Sequence, residues 1–202
     1  TQIAIVLIMA VTNNILVSYG ARSKYGAEIP LTTIGITMKV NQIVSAVLLG
    51  LATGAQPIWG YNYGSGQKDR VKQAYRIVLT VSTCMLILAF LVFQFAPMSI
   101  VRLFGSESEL YNEFAVKCFR IFLLACPING LQMATGIFFQ AIGKPTQAAV
   151  LSLSRQIVYL LPATLLLPLA LGVEGALWAG PLADALAFIT TLVMLKLYWK
   201  KI

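Results

Sequence analysis

The chain has 202 residues, 58% of them apolar and 11% charged, with a mean hydropathy of +0.81 and a formal net charge of +8. A soluble domain of this size carries about a quarter charged residues, so a water-soluble globule with one buried core is excluded. The basic residues lie between apolar runs and form no nucleic-acid motif, which is the pattern of a membrane protein's loops rather than of a nucleic-acid surface.

A spanning helix needs about 20 mostly apolar residues to cross about 30 Å of hydrocarbon. Ile3–Tyr19 is the first run of this kind, followed by Ile34–Trp59 with Lys39 inside it. Ile77–Ile100 carries no charge, and Cys118–Ile142 has Arg120 near its start. Ala148–Leu167 contains Arg155, and Gly175–Tyr198 contains Asp184, with Lys196 near its end. The fold class is therefore all-α, a polytopic bundle of six transmembrane helices. The stretches 20–33, 60–76, 101–117, 143–147 and 168–174 are expected as connections. The last two are short and would make the final three helices antiparallel neighbours.

Charge sets the expected orientation. Lys68, Arg70, Lys72, Arg76, Lys144, Lys196, Lys200 and Lys201 fall on one face of the bundle. The other face carries Glu28, Glu107, Glu109, Glu113 and Glu174 beside Arg22, Lys24 and Arg102. The basic face is expected in the cytoplasm of a cell inner (plasma) membrane, with the carboxy terminus on that side. The chain starts at Thr1 with no basic segment before its first apolar run, so no signal peptide is read, and it looks cut from something longer.

Little in the sequence points to enzymatic chemistry. There is no His, and Cys84, Cys118 and Cys126 have no metal-ligand spacing, so they read as small hydrophobes. No nucleophile–base set is present. The glycines of 60–66 lack the Walker pattern and follow no strand, so a phosphate cradle is not read there.

Ionisable groups inside a membrane are functional candidates by default. Asp184 lies about 14 Å into its helix and Arg155 about 10 Å above the opposite end of the neighbouring one. Their depths differ by about 6 Å, within reach of an arginine, so the two are expected to interact. Two roles remain open for them: a structural ion pair, or a proton or cation coupling site. Lys39 and Arg120 lie near helix ends and are expected to snorkel to water.

The uncharged polar candidates are Asn13, Asn14, Asn41, Gln42, Asn129, Gln132 and Gln140. Asn129, Gln132, Gly136 and Gln140 share one helical face, as do Asn41, Ser45, Ala52 and Gln56. Such amides avoid lipid, so they either wall a substrate cavity or join helices. Met9, Met38 and Met133 add soft apolar surface.

Three stretches carry a family resemblance: Gly54-Ala55-Gln56-Pro57-Ile58-Trp59-Gly60-Tyr61-Asn62-Tyr63-Gly64-Ser65-Gly66; Phe138-Phe139-Gln140-Ala141-Ile142-Gly143-Lys144 with Leu151–Gln156; and Pro181-Leu182-Ala183-Asp184. In this order they resemble the second six-helix lobe of the multidrug and toxic compound extrusion (MATE) family. The resemblance implies export of amphipathic organic cations in exchange for H+ or Na+, with no other cofactor and no metal. It also implies a first lobe that completes the cavity. Met9–Asn14 has no acid where some branches carry a coupling carboxylate, which resembles the bacterial multidrug branch. A lipid-linked saccharide flippase of the same superfamily and a non-transporting scaffold are the alternatives.

Overall fold

The computed structural model describes residues 2–105 and 108–199. Glu107, Lys200 and Lys201, which entered the charge count, lie outside the described residues. The regular elements among the described residues are all helical, in the order α1 (Gln2–Gly20), α2 (Glu28–Gly64), α3 (Lys68–Phe95), α4 (Pro97–Phe104), α5 (Glu109–Phe122), α6 (Cys126–Ala141), α7 (Pro145–Leu153), a π-helical segment (Ser154–Leu160), α8 (Leu161–Leu171) and α9 (Val173–Trp199). Five spans are long and apolar enough to cross a membrane, and α5 with α6, bent by 48° at their break, are so when taken together.

Several expected boundaries are corrected. Hydropathy marks only the part of a helix inside hydrocarbon, whereas backbone hydrogen bonding continues into the polar turns beyond it. Thus α2 begins at Glu28 and runs through Gly60–Gly64, expected as loop. Its 37 residues extend about 55 Å, well beyond the hydrocarbon. Only Ser65–Gln67 separate it from α3, with Gly66 at φ 74° allowing the reversal. Likewise α5 begins at Glu109, capped by the Ser108 hydroxyl on the Tyr111 N–H. The 168–174 connection shrinks to Gly172, at φ 63°.

Prolines explain the breaks inside the expected spans. The run Ile77–Ile100 ends as a helix at Phe95, because Pro97 pushes Ala96 out of the helical region, to φ −128° and ψ 40°. The run Cys118–Ile142 is broken at 123–125, where Pro127 offers no N–H to continue the ladder. Tight bonds from the Cys126 N–H to Leu123 O and from the Ile128 N–H to Ala125 O bridge that gap. The run Ala148–Leu167 contains the π segment just ahead of Pro162.

Helices without water between them associate through close packing and hydrogen bonds. Small residues make the closest approaches. Ala176, Gly180, Ala183 and Ala187 form a buried stripe on α9. A Cβ on Gly175 would collide with the Leu167 backbone, and one on Gly180 would lie 3.2 Å from the Phe122 ring. Buried hydroxyls return to their own helices: Thr33 to Ile29 O, Thr37 to Thr33 O, Thr191 to Ala187 O. An aromatic cluster ties α2, α3, α6 and α9 at one end, with Trp59 edge-on to Phe138 at 5.3 Å and Tyr75 4.7 Å from Phe138.

A polar network ties the other end. Lys24 in the α1–α2 turn donates to Glu113 at 2.9 Å, Tyr25 OH donates to the same carboxylate, and Lys117 reaches Glu174 at 3.0 Å. The Glu113 hydrogen bonds hold the Lys24 ammonium above its ordinary pKa.

Candidate functional site

Two backbone irregularities meet at one place. The α5–α6 break and the π segment, with the stretch of α9 after Pro181, surround Arg155 and Asp184. Arg155 Nε and Nη2 both stand 2.6 Å from Asp184 Oδ1. The Asp184 side chain is 8% exposed and that of Arg155 25%. Both contacts fall on Oδ1. Asp184 lies about 15 Å below Glu174 and about 22 Å above Trp199, so it sits in the half of the bundle nearer the acidic end.

Asn41 and Asn129 face the same pair across a cavity of about 50 Å³, closed by Phe122, Cys126 and Gly180. That volume suits a water or two. Drug-sized ligands occupy roughly 300–1,000 Å³, so no substrate fits there. A larger groove of about 290 Å³ between α1 and the π segment is lined by Ile3, Leu7, Ile157 and their apolar neighbours, with no polar group to orient a ligand.

The other amides separate into two groups. Gln132 is buried and donates through Nε2 to Leu151 O at 3.1 Å, joining α6 to α7. Its Oε1 has no partner among the described residues. Gly136 is buried and Gln140 is exposed at the last turn of α6. The α6 polar face is thus divided among a cavity, an interhelical contact and a helix end, and does not form one open wall. Asn13, Asn14 and Gln42 are exposed, as are Lys39 and Thr53 on the face of α2 that carries Gln42. Pro57 is exposed on that face too, and its missing N–H frees the Thr53 carbonyl. The Asn41, Ser45, Ala52 and Gln56 stripe points into the lobe instead. Lys39 and Arg120 are both exposed, and the Arg120 carbonyl accepts from Gln94 Nε2 near the end of α3.

Much of the exterior between the charged ends is apolar. Outward faces of α3 carry Ile77, Leu88 and Phe95, those of α8 Leu166 and Leu169, and those of α9 Leu186, Ile189 and Val193.

Sequence reasoning missed the convergence of breaks around the ion pair. Pro127 and Pro162 were its only signal, and a proline inside an apolar run does not reveal which neighbouring helix it faces. The Gln156 Oε1, buried without a partner beside Arg155, was missed as well.

The family described as MatE matches residues 2–165. The chain is similar to the multidrug export protein MepA of Staphylococcus haemolyticus, at 23% identity over 95% of this chain and 41% of that protein. It is similar to the FAD transporter of Shewanella oneidensis, at 23% identity over 89% of this chain and 39% of that protein. Among solved structures it resembles the MATE multidrug transporter DinF-BH, solved as a complex, with a TM-score of 0.81, 32% identity, and coverage of 96% of this chain and 42% of that one. It also resembles an outward-facing multidrug resistance MATE family transporter, with a TM-score of 0.84 and 18% identity over 97% of this chain and 43% of that one. The chain spans about two fifths of the length of the curated relatives it matches.

Proposed function

The chain belongs to the MatE family, and on that premise we propose that it is one lobe of a secondary transporter that exports amphipathic organic compounds by antiport with H+ or Na+. The observation that carries this reading is the exposure of three amides, Asn13, Asn14 and Gln42, inside apolar spanning helices. Amides cost too much against lipid to be left there, so these side chains meet water, substrate or a second lobe. A cavity between two rocking lobes supplies all three. Organic cations are the first substrate class to test, because the family resemblance points to them. The basic end then faces the cytoplasm of the plasma membrane, together with the carboxy terminus.

Arg155 and Asp184 act in this reading as a structural pair that holds α9 against the π segment. An Asp184 committed to Arg155 at 2.6 Å is not free to hold a coupling ion, so that ion is expected to bind elsewhere in the transporter. The same pairing disfavours the flippase alternative, because the one arginine at the cavity is committed to a carboxylate rather than to a phosphate.

Dye efflux tests the proposal. Cells expressing the full-length transporter should expel a cationic dye such as ethidium, and collapsing the proton or sodium gradient should stop them. Efflux unchanged after both gradients are collapsed would contradict antiport.

A further inference from the structure

The two ends of the bundle are charged differently. At the end built by the α1–α2 turn and the starts of α5 and α9, Lys24 and Lys117 are compensated by Glu113 and Glu174. The opposite end carries Lys68, Arg70, Lys72, Arg76, Lys144 and Lys196, and Asp69 is the one acid there among the described residues. Among the described residues, no carboxylate lies within ion-pair distance of Lys72, Lys144 or Lys196.

Two of these lysines lie over aromatic rings of the last turn of α9, and the third is carried by that turn. Lys72 Nζ stands 5.8 Å from the centre of the Trp199 ring, and Lys144 Nζ stands 4.9 Å from that of Tyr198. Lys196 precedes Trp199 by three residues and so lies on the Trp199 side of the helix, while Tyr198 with Lys144 flanks Trp199 on its other side. Both rings are held from behind. Tyr75 packs against Trp199 at 5.5 Å and Phe139 against Tyr198 at 5.8 Å, and Gln147 Nε2 donates to the Tyr198 hydroxyl.

The ring faces pre-position the ammonium groups without exhausting them. Each ammonium has three N–H donors, and a ring face does not satisfy all of them. Uncompensated lysines from three separate elements, framed by aromatics at a membrane boundary, match the chemistry of a lipid phosphate. We infer that Lys72, Lys144 and Lys196, with Trp199 and Tyr198, form a binding site for the phosphate headgroup of an anionic phospholipid. The lipid clasps the start of α3, the α6–α7 turn and the end of α9. This inference needs the membrane reading alone and stands apart from whether the lobe transports.

The test titrates detergent-purified full-length transporter separately with cardiolipin, phosphatidylcholine and inorganic phosphate, counting bound molecules by native mass spectrometry. Cardiolipin should bind, phosphatidylcholine at least about tenfold more weakly, and inorganic phosphate not measurably. Lys72→Gln, Lys144→Gln and Lys196→Gln should each weaken cardiolipin binding about fivefold, the effect of about one surface charge. The Lys→Arg variants should retain binding. Lys24→Gln and Lys117→Gln, at the compensated end, should leave it unchanged. Equal binding of phosphatidylcholine, tight binding of free phosphate, or single Lys→Gln variants that all bind cardiolipin like the parent would overturn the inference.

Discussion

Removing one partner of a buried ion pair costs more than the pair itself contributes, because it strands the other charge. Arg155→Ala leaves the Asp184 carboxylate buried and uncompensated, and the cost is expected to be about 3–5 kcal/mol. The purified variant should unfold at markedly lower denaturant than the parent. Asp184→Asn strands a less buried guanidinium and should cost less, since the Arg155 side chain is the more exposed of the two. The double variant Arg155→Asp/Asp184→Arg should recover part of the loss in the same assay. Failure of the double variant to recover anything, with both singles impaired, would argue for a directional role such as ion coupling.

At the scale of elements, the packing rests on two close approaches of different kinds. A methyl group on Gly175 meets the Leu167 backbone, which cannot turn aside, while one on Gly130 meets the tip of the Leu86 side chain, which can. Gly175→Ala should therefore cost roughly 1–3 kcal/mol, the range of overpacking, and Gly130→Ala clearly less. Thermal unfolding of the two variants in one detergent separates them, and equal losses would contradict the distinction. The same contrast explains the shape of the α8–α9 hairpin. Gly172 turns the chain at φ 63°, and Gly175 lets α9 start directly against the α8 backbone.

For the whole molecule, the exposure of Asn13, Asn14 and Gln42 inside apolar spans is the main functional statement. It predicts chemical access. Introduced as single cysteines in a background lacking the native ones, Asn13→Cys and Gln42→Cys should react with a membrane-impermeant, water-soluble thiol reagent in intact cells. Leu88→Cys and Leu186→Cys, on the outward apolar faces, should not react. Native Cys84, exposed on α3, should behave like the second pair, and buried Cys118 and Cys126 should be inert. Protection of residues 13 and 42 with labelling of 88 and 186 would place the lipid on the wrong side and remove the support for a cavity wall.

Much of this was legible in the residues themselves. Composition and run length were enough for an all-α membrane bundle, because hydrocarbon demands internally bonded helices whatever their packing. The family resemblance was carried by Gln56–Gly66, and helix spacing alone brought Arg155 and Asp184 within reach. Helix ends were misjudged, since hydropathy reports the solvent and the backbone ladder does not follow it. The role of each amide was beyond periodicity. Asn41 and Gln42 are adjacent in sequence, yet one faces a buried ion pair and the other the exterior. A helical stripe says which residues share a face, and only the arrangement of neighbouring helices says what that face meets. The convergence of two chain irregularities at one ion pair, and of lysines from α3 and the α6–α7 turn at the end of α9, likewise belongs to the tertiary structure, because each joins residues that the sequence keeps far apart.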